Sequence, residues 1–292
     1  AQRINGMFAF AVWDRDERLL RLVRDRLGIQ RLYYGRLKNG FVFGSEPKAL
    51  KAHPRFDKEI DRNALSLLLR HCYIPAPYSI YEDVYKLPAG CLLQIRRTED
   101  GGRMAEDGGA SSVFGPRSSV LRPRPYWSAA EAARRGVAEP FEGTEEEAVN
   151  ELERLLGDSV EKRMISDVPL GAFLSGGIDS STVVALMQKR SPRPVRTFSI
   201  GFHEGVYNEA EHAAAVAEHL GAEHTELYVT PREAMDVIPR LPELYCEPFA
   251  DSSQIPTSLL ARLTRRHVTV SLSGDGGDEL FAGYNRYFLG DR

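Results

Sequence analysis

Two textures of hydrophobic and polar positions divide this chain. In the first, short apolar runs alternate or pair across turn residues. Met7–Trp13 is apolar and β-prone, Arg18–Arg24 alternates with period two, and the polar stretch Asp14–Glu17 between them predicts a hairpin. Leu32–Gly35 and Phe41–Gly44 flank Lys38-Asn39-Gly40, where Asn-Gly favours a tight turn, and predict a second hairpin. Helical patterns cover Ser45–Leu50 and Asn63–Arg70, and Leu92–Ile95 resumes strand character. Hairpins with short helices predict a layered α+β domain over residues 1–95.

Residues 96–125 break the pattern. Gly, Ser, Arg, Pro and Glu dominate and large apolar side chains are few, so a low-complexity insertion or linker is expected. From residue 126 a second domain is expected, and from Thr144 helix and strand patterns alternate. Thr144-Glu145-Glu146-Glu147 is a capping box, and Ala148, Leu152, Leu155, Leu156, Val160 and Met164 fall on one helical face. Strands are predicted at Leu170–Leu174, Val195–Gly201, Glu223–Val229 and Val268–Leu272. Helices between them are marked by a second box (Asn208, Glu211) with Gly221 beyond its end, by Thr230-Pro231-Arg232-Glu233, and by the Ile255–His267 pattern. Strand–helix alternation predicts a doubly wound parallel sheet covered on both faces.

Composition narrows the classes. With 292 residues there is room for two domains, and a formal net charge of −3 with scattered Lys and Arg gives no nucleic-acid footprint. Cys72, Cys91 and Cys246 are odd in number and lack a CxxC pair, which argues against a disulfide framework or zinc and fits a reducing cytoplasm. The close trio His212, His219 and His224 reads as surface or local hydrogen bonding rather than metal. No apolar run reaches the ~18 residues of a membrane span. The opening Ala1–Met7 reads as the middle of a domain, so a piece of a longer protein is expected.

The chemistry gathers in two glycine-rich turns, each placed just after a strand. Leu174-Ser175-Gly176-Gly177-Ile178-Asp179-Ser180 leads from a strand into a helix, an arrangement whose loop N–H groups and helix dipole attract anions. Asp179 would repel phosphate unless a divalent cation lay between them; the plainer reading makes Asp179 or Ser180 a helix N-cap. Ser273-Gly274-Asp275-Gly276-Gly277-Asp278-Glu279 comes after the last strand, and Asp179 and Asp278 could share Mg²⁺. Ligands of such sheets bind beyond the C-terminal strand ends, where both loops belong. A P-loop signature, a dinucleotide fingerprint and a G-x-S-x-G elbow are all missing.

Ser175-Gly176-Gly177-Ile178-Asp179-Ser180 resembles the loop of the N-type ATP pyrophosphatases. With Asp167–Leu174 before it and Leu272–Tyr284 downstream, the chain is similar to glutamine-dependent asparagine synthetases of the bacterial type. Gly6–Ala11 with Arg24–Ile29 resembles the later part of that family's glutaminase domain. The resemblance implies a partial N-terminal nucleophile (Ntn) glutaminase domain, then an ATP-pyrophosphatase domain. It implies ATP and Mg²⁺ as cofactors and aspartate, glutamine or ammonia as small-molecule partners, with a homodimer as an option and neither nucleic acid nor membrane. By the same resemblance Leu174 and Ile200 would meet adenine, and Ser175, Gly176, Gly177 and Ser180 would hold pyrophosphate. Ser273 and Gly274 would also lie at the nucleotide, Asp179 and Asp278 would hold Mg²⁺, and Asp275 would be catalytic. Asp275 departs from the Glu of many relatives, Gln30-Arg31 from a common Lys-Pro, and Cys246 from a frequent acidic residue. The family's N-terminal cysteine nucleophile has no counterpart at Ala1, so this polypeptide alone is not expected to cleave glutamine. Related machinery closes β-lactams or peptide macrocycles, which keeps that alternative open beside a non-catalytic fragment.

Overall fold

The computed structural model describes residues 1–37, 40–97, 104–105, 122–202, 209–284 and 287. Its contacts divide into two compact units, residues 1–141 with 245–251, and residues 142–244 with 252–292.

In the first unit β1 (Ala9–Asp14) and β2 (Leu19–Arg24) form the first expected hairpin, with Ala9 opposite Arg24 and Asp14 opposite Leu19. β3 (Tyr33–Leu37) and β4 (Gly40–Gly44) form the second; Lys38 and Asn39 of its turn lie outside the described residues. Two short helices come next, α1 (Pro47–Lys51) and α2 (Arg62–His71). β5 (Val84–Lys86), which the pattern does not announce, pairs with β3. β6 (Cys91–Arg97) pairs with β2 and also receives β7 (Met104–Ala105) and β8 (Arg124–Pro125). Both ends of the expected 96–125 linker are therefore sheet partners, and α3 (Ala129–Ala138) completes the unit. Residues 126–141 group by composition with the second domain but fold with the first unit. Leu22, Leu87, Leu93 and Ile95 are fully buried, and buried Asp25 accepts the N–H groups of Phe8, Ile29 and Gln30. Asp61 caps α2 by accepting from the N–H groups of Asn63 and Ala64. Asp61→Ala is expected to lower stability by about 1 kcal/mol, measured by denaturant unfolding.

Residues 245–251 belong to the first unit although the flanking sequence on both sides belongs to the second. Glu247 holds them there. Its Oε2 receives Lys86 Nζ at 2.7 Å and the Tyr33 hydroxyl at 3.0 Å, and its Oε1 receives the Ile80 N–H at 2.8 Å. The Ala250 N–H donates to the Cys72 carbonyl at 2.7 Å.

The second unit opens with α4 (Glu145–Met164), begun by the expected Thr144–Glu147 box. Val160 is buried with Leu156 and Met164 packed against the same cluster, while Leu152 and Leu155 stay exposed. Then come β9 (Leu170–Phe173), α5 (Ile178–Arg190), β10 (Arg196–Phe202), α6 (Ala210–Leu220) and β11 (Glu223–Val229). α7 (Pro231–Val237) starts at a second Thr–Glu box, and after it stand α8 (Leu241–Leu244), α9 (Gln254–Thr264), β12 (Val270–Leu272) and α10 (Gly277–Phe281). The box expected at Asn208 falls partly outside the described residues; the N-cap of α6 is Glu209 with no side-chain bond, while Gly221 ends the helix in the left-handed region as expected.

All strand pairs of this sheet are parallel, in the order β11-β10-β9-β12. The chain winds outward from β9 to β11 and then returns to the other side of β9, so the order reverses between β9 and β12. One face packs Ala172, Leu174, Val184, Met187 and Ala213; the other packs Val229, Val237 and Leu259. Among the described residues no helix is long and apolar enough to cross a membrane.

Candidate functional site

The reversal of strand order brings two strand ends together. Val270 pairs with Leu170 and Leu272 with Ala172, so the turns after β9 and β12 leave the sheet side by side. Their contact is close enough to exclude side chains. A Cβ on Gly274 would lie 2.8 Å from the Ser180 N, and one on Gly277 would run into the Asp179 carboxylate. Gly176 has a left-handed φ of +80° and backs onto α6, where a Cβ would sit 2.7 Å from that of His212. These glycines let two loops and a helix share one small volume.

The first loop is tied to itself through Ser180. The Ser175 N–H donates to Ser180 Oγ at 3.2 Å, the two serine hydroxyls lie 3.0 Å apart, and Ser180 Oγ donates to the Gly177 carbonyl at 3.3 Å. The N-cap of α5 is Gly177, with no side-chain cap bond. Neither Asp179 nor Ser180 therefore caps the helix, which corrects the plainer sequence reading. Asp179 instead stands in the first turn, where the helix dipole favours its charge.

A cavity of about 480 Å³ opens above these loops. Leu174, Ser175, Asp179, Ser180, Ile200, Ser273, Gly274, Asp275 and Asp278 all line it. Gly176 and Gly177 do not; they shape the turn behind the wall. Reasoning from sequence gave no role to Phe173, Ser199, Glu209, Leu260, Gly276, Glu279 or Tyr284, which also line the cavity, although Gly276, Glu279 and Tyr284 lie within the motifs it quoted. The strand-end rule could have found Ser199 and the start-of-helix rule Glu209, but nothing local marks Leu260.

The electrostatics are one-sided. Asp179, Asp275, Asp278, Glu209 and Glu279 face the cavity, and no Lys or Arg is among its described lining residues. Ser273 Oγ donates to Asp275 Oδ2 at 2.9 Å, and Tyr284 Oη donates to Glu279 Oε1 at 2.9 Å. Among the described residues Asp179 and Asp278 have no ion-pair partner, and no cluster of three His, Cys, Asp or Glu could enclose a metal by itself. That donor set fits a hard divalent cation completed by ligand oxygens and water. A phosphate group could enter such a cavity only with a cation to offset the carboxylates. A second cavity, about 340 Å³ in the first unit, has Arg24, Tyr33, Lys86 and Glu247 in its lining, but Lys86 and Glu247 neutralise each other.

Residues 151–291 match the asparagine synthase family model, and residues 1–103 match the glutamine amidotransferase domain. The chain is 36% identical over 296 residues to a putative glutamine-hydrolysing asparagine synthetase 2 of Methanocaldococcus jannaschii, covering 100% of this chain and 52% of the relative. It is 34% identical over 287 residues to the glutamine-hydrolysing asparagine synthetase 1 of Bacillus subtilis, covering 98% and 41%. Against asparagine synthetase B of Escherichia coli the identity is 29% over 300 residues, covering 96% and 44%. The chain thus spans about half the length of the curated relatives it matches.

Proposed function

Residues 151–291 belong to the asparagine synthase family and residues 1–103 to the glutamine amidotransferase domain family, and from that premise we propose that the full-length protein converts aspartate to asparagine at the expense of ATP. The observation that carries the reading is the meeting of two glycine-rich loops, with Asp179 and Asp278, in one cavity without a basic side chain among its described lining residues. The first unit is read as part of an Ntn glutaminase domain that supplies ammonia from glutamine, and the second as an ATP-pyrophosphatase domain.

Leu174 and Ile200 flank the purine; Ser175 and Ser180, with Ser273 and Gly274, meet the pyrophosphate from the wall, and Gly176 and Gly177 shape the turn that presents them. Asp179 and Asp278 would hold Mg²⁺, which supplies charge neutralisation between phosphate oxygens and carboxylates and eases departure of pyrophosphate. An oxygen of the aspartate side chain attacks the α-phosphorus, forming an acyl–phosphate bond as the bond to pyrophosphate breaks. Ammonia then attacks the acyl carbon, AMP leaves with the bonding pair, and the nitrogen loses a proton. Asp275, oriented by Ser273 Oγ, is the carboxylate available to receive it.

The test is carboxylate-dependent exchange of labelled pyrophosphate into ATP by the full-length protein, with a panel of amino acids and peptides. Aspartate alone should sustain exchange and then yield asparagine with ammonia. Exchange with a bulkier carboxylate but not aspartate would assign the site to β-lactam or macrocycle closure, and no exchange with any would make it a binding scaffold.

A further inference from the structure

Behind the nucleotide cavity three side chains form a line of hydrogen bonds across β10 and β11. Thr197 and Ser199 project from the same face of β10 and are 0% and 3% exposed. His224 on β11 lies between them, with Nδ1 2.8 Å from Thr197 Oγ1 and Nε2 3.1 Å from Ser199 Oγ. Thr197 Oγ1 also donates to the Glu223 carbonyl at 3.4 Å. A hydroxyl has one proton. With that proton on Glu223, Thr197 can only accept from His224, which puts the imidazole proton on Nδ1. Burial holds the imidazole pKa below its usual value, against a smaller opposing pull from Glu226, so the ring is neutral near pH 7. Its Nε2 lone pair then takes the Ser199 proton, and Ser199, which lines the cavity, has only lone pairs left to offer a ligand.

We propose that Ser199 is a specificity-determining hydrogen-bond acceptor on the wall of the nucleotide cavity, polarised by the Thr197–His224 relay, and that it receives an N–H or O–H of the bound nucleoside. The proposal rests on the ATP reading of the site. The donor is either the 6-amino group of the purine or a ribose hydroxyl. The relay also reverses. When His224 is protonated both ring nitrogens donate, Nε2–H points at Ser199, and the serine proton is released toward the cavity. The wall then offers a donor where it had offered an acceptor. Among the described residues the charge acting on His224 is Glu226, 3.8 Å from Nε2 on the same strand, whereas β10 faces the ring with two uncharged hydroxyls. Because the folded-state pKa is depressed, the unfolded chain binds the proton first, and stability is lost as pH falls from about 6.5.

The experiment is calorimetric binding of Mg-ATP, Mg-ITP and Mg-2′-deoxyATP and Mg-3′-deoxyATP to the full-length protein between pH 8 and pH 5. One hydrogen bond of this kind predicts a preference for ATP of about three- to tenfold over the analogue lacking the donor, shrinking as His224 protonates. A loss confined to ITP identifies the base amine, and one confined to a deoxy analogue identifies that hydroxyl. Ser199→Ala should erase both the preference and its pH dependence, while Ser199→Thr should restore them. Equal affinities for all four nucleotides in the wild type, or an unchanged preference in a folded Ser199→Ala, would overturn the proposal. Imidazole ¹⁵N shifts should report the Nδ1–H form of His224 in the ligand-free protein; an Nε2–H form would overturn the relay alone. Failure of any Mg-nucleotide to bind the wild type would overturn the ATP reading itself.

Discussion

Asp179→Ala in the full-length protein is expected to lower aspartate-dependent pyrophosphate exchange by about a thousandfold with little change in unfolding temperature. The two halves of that expectation have different causes. Activity should fall because, in the proposed function, Asp179 and Asp278 hold the cation, in a cavity whose described lining has no Lys or Arg. Without the cation, triphosphate would face Asp275, Asp278, Glu209 and Glu279 unshielded. Stability changes little because Asp179 is not the N-cap of α5 and lacks an ion-pair partner among the described residues. What is lost is a first-turn dipole interaction worth about 0.3–1 kcal/mol. Asp179→Asn should be nearly as inactive, since it keeps shape and removes charge. Exchange that survives in both variants, or recovers without Mg²⁺, would remove Asp179 from the metal site.

Glu247→Ala is expected to destabilise the first unit by about 3–5 kcal/mol, because it leaves the Lys86 ammonium buried without its counter-charge. The side chains of Lys86 and Glu247 are only 15% and 10% exposed, so water cannot replace the lost partner. The Tyr33 hydroxyl and the Ile80 N–H lose their acceptor in the same step. Burial, reinforced by the charge of Glu247, keeps the Tyr33 phenol strongly protonated, so it remains a donor in search of an acceptor. Glu247→Gln should cost less, since an amide oxygen still accepts from Ile80, and Lys86→Met with Glu247→Leu should recover part of the loss by removing both charges. Denaturant unfolding monitored by tryptophan fluorescence would measure all three. Equal stability of wild type and Glu247→Ala would mean that residues 245–251 are not held by this ion pair.

Much of the fold was legible because local patterns and tertiary packing agree. Both hairpins of the first unit, the Thr144 box, the helix start at Thr230-Pro231, Gly221 and the four parallel strands stand where periodicity and capping residues put them. The misses share a cause. β5, β7 and β8 have only two or three residues each, too short for a period to register, and exist because β3 and β6 offer them partners. The exposed Leu152 and Leu155 match a helical face as well as Leu156 does, since periodicity reports which side can pack and not which positions on it are covered.

The site divides along the same line. The two loops, their glycines and their carboxylates are written in contiguous sequence, because a turn that admits a phosphate or a neighbouring backbone needs particular residues within a few positions. The family resemblance rests on those same contiguous motifs. Folding in three dimensions was needed to put Gly176 and Gly177 behind the wall, to bring Ser199 and Leu260 into it, and to set His224 within hydrogen-bond distance of Ser199 from the next strand. It was needed too for Glu247 to join residues far earlier in the chain. Those relations link residues 25 to 214 positions apart, and such a distance is set by strand order and register, which no local stretch of sequence encodes.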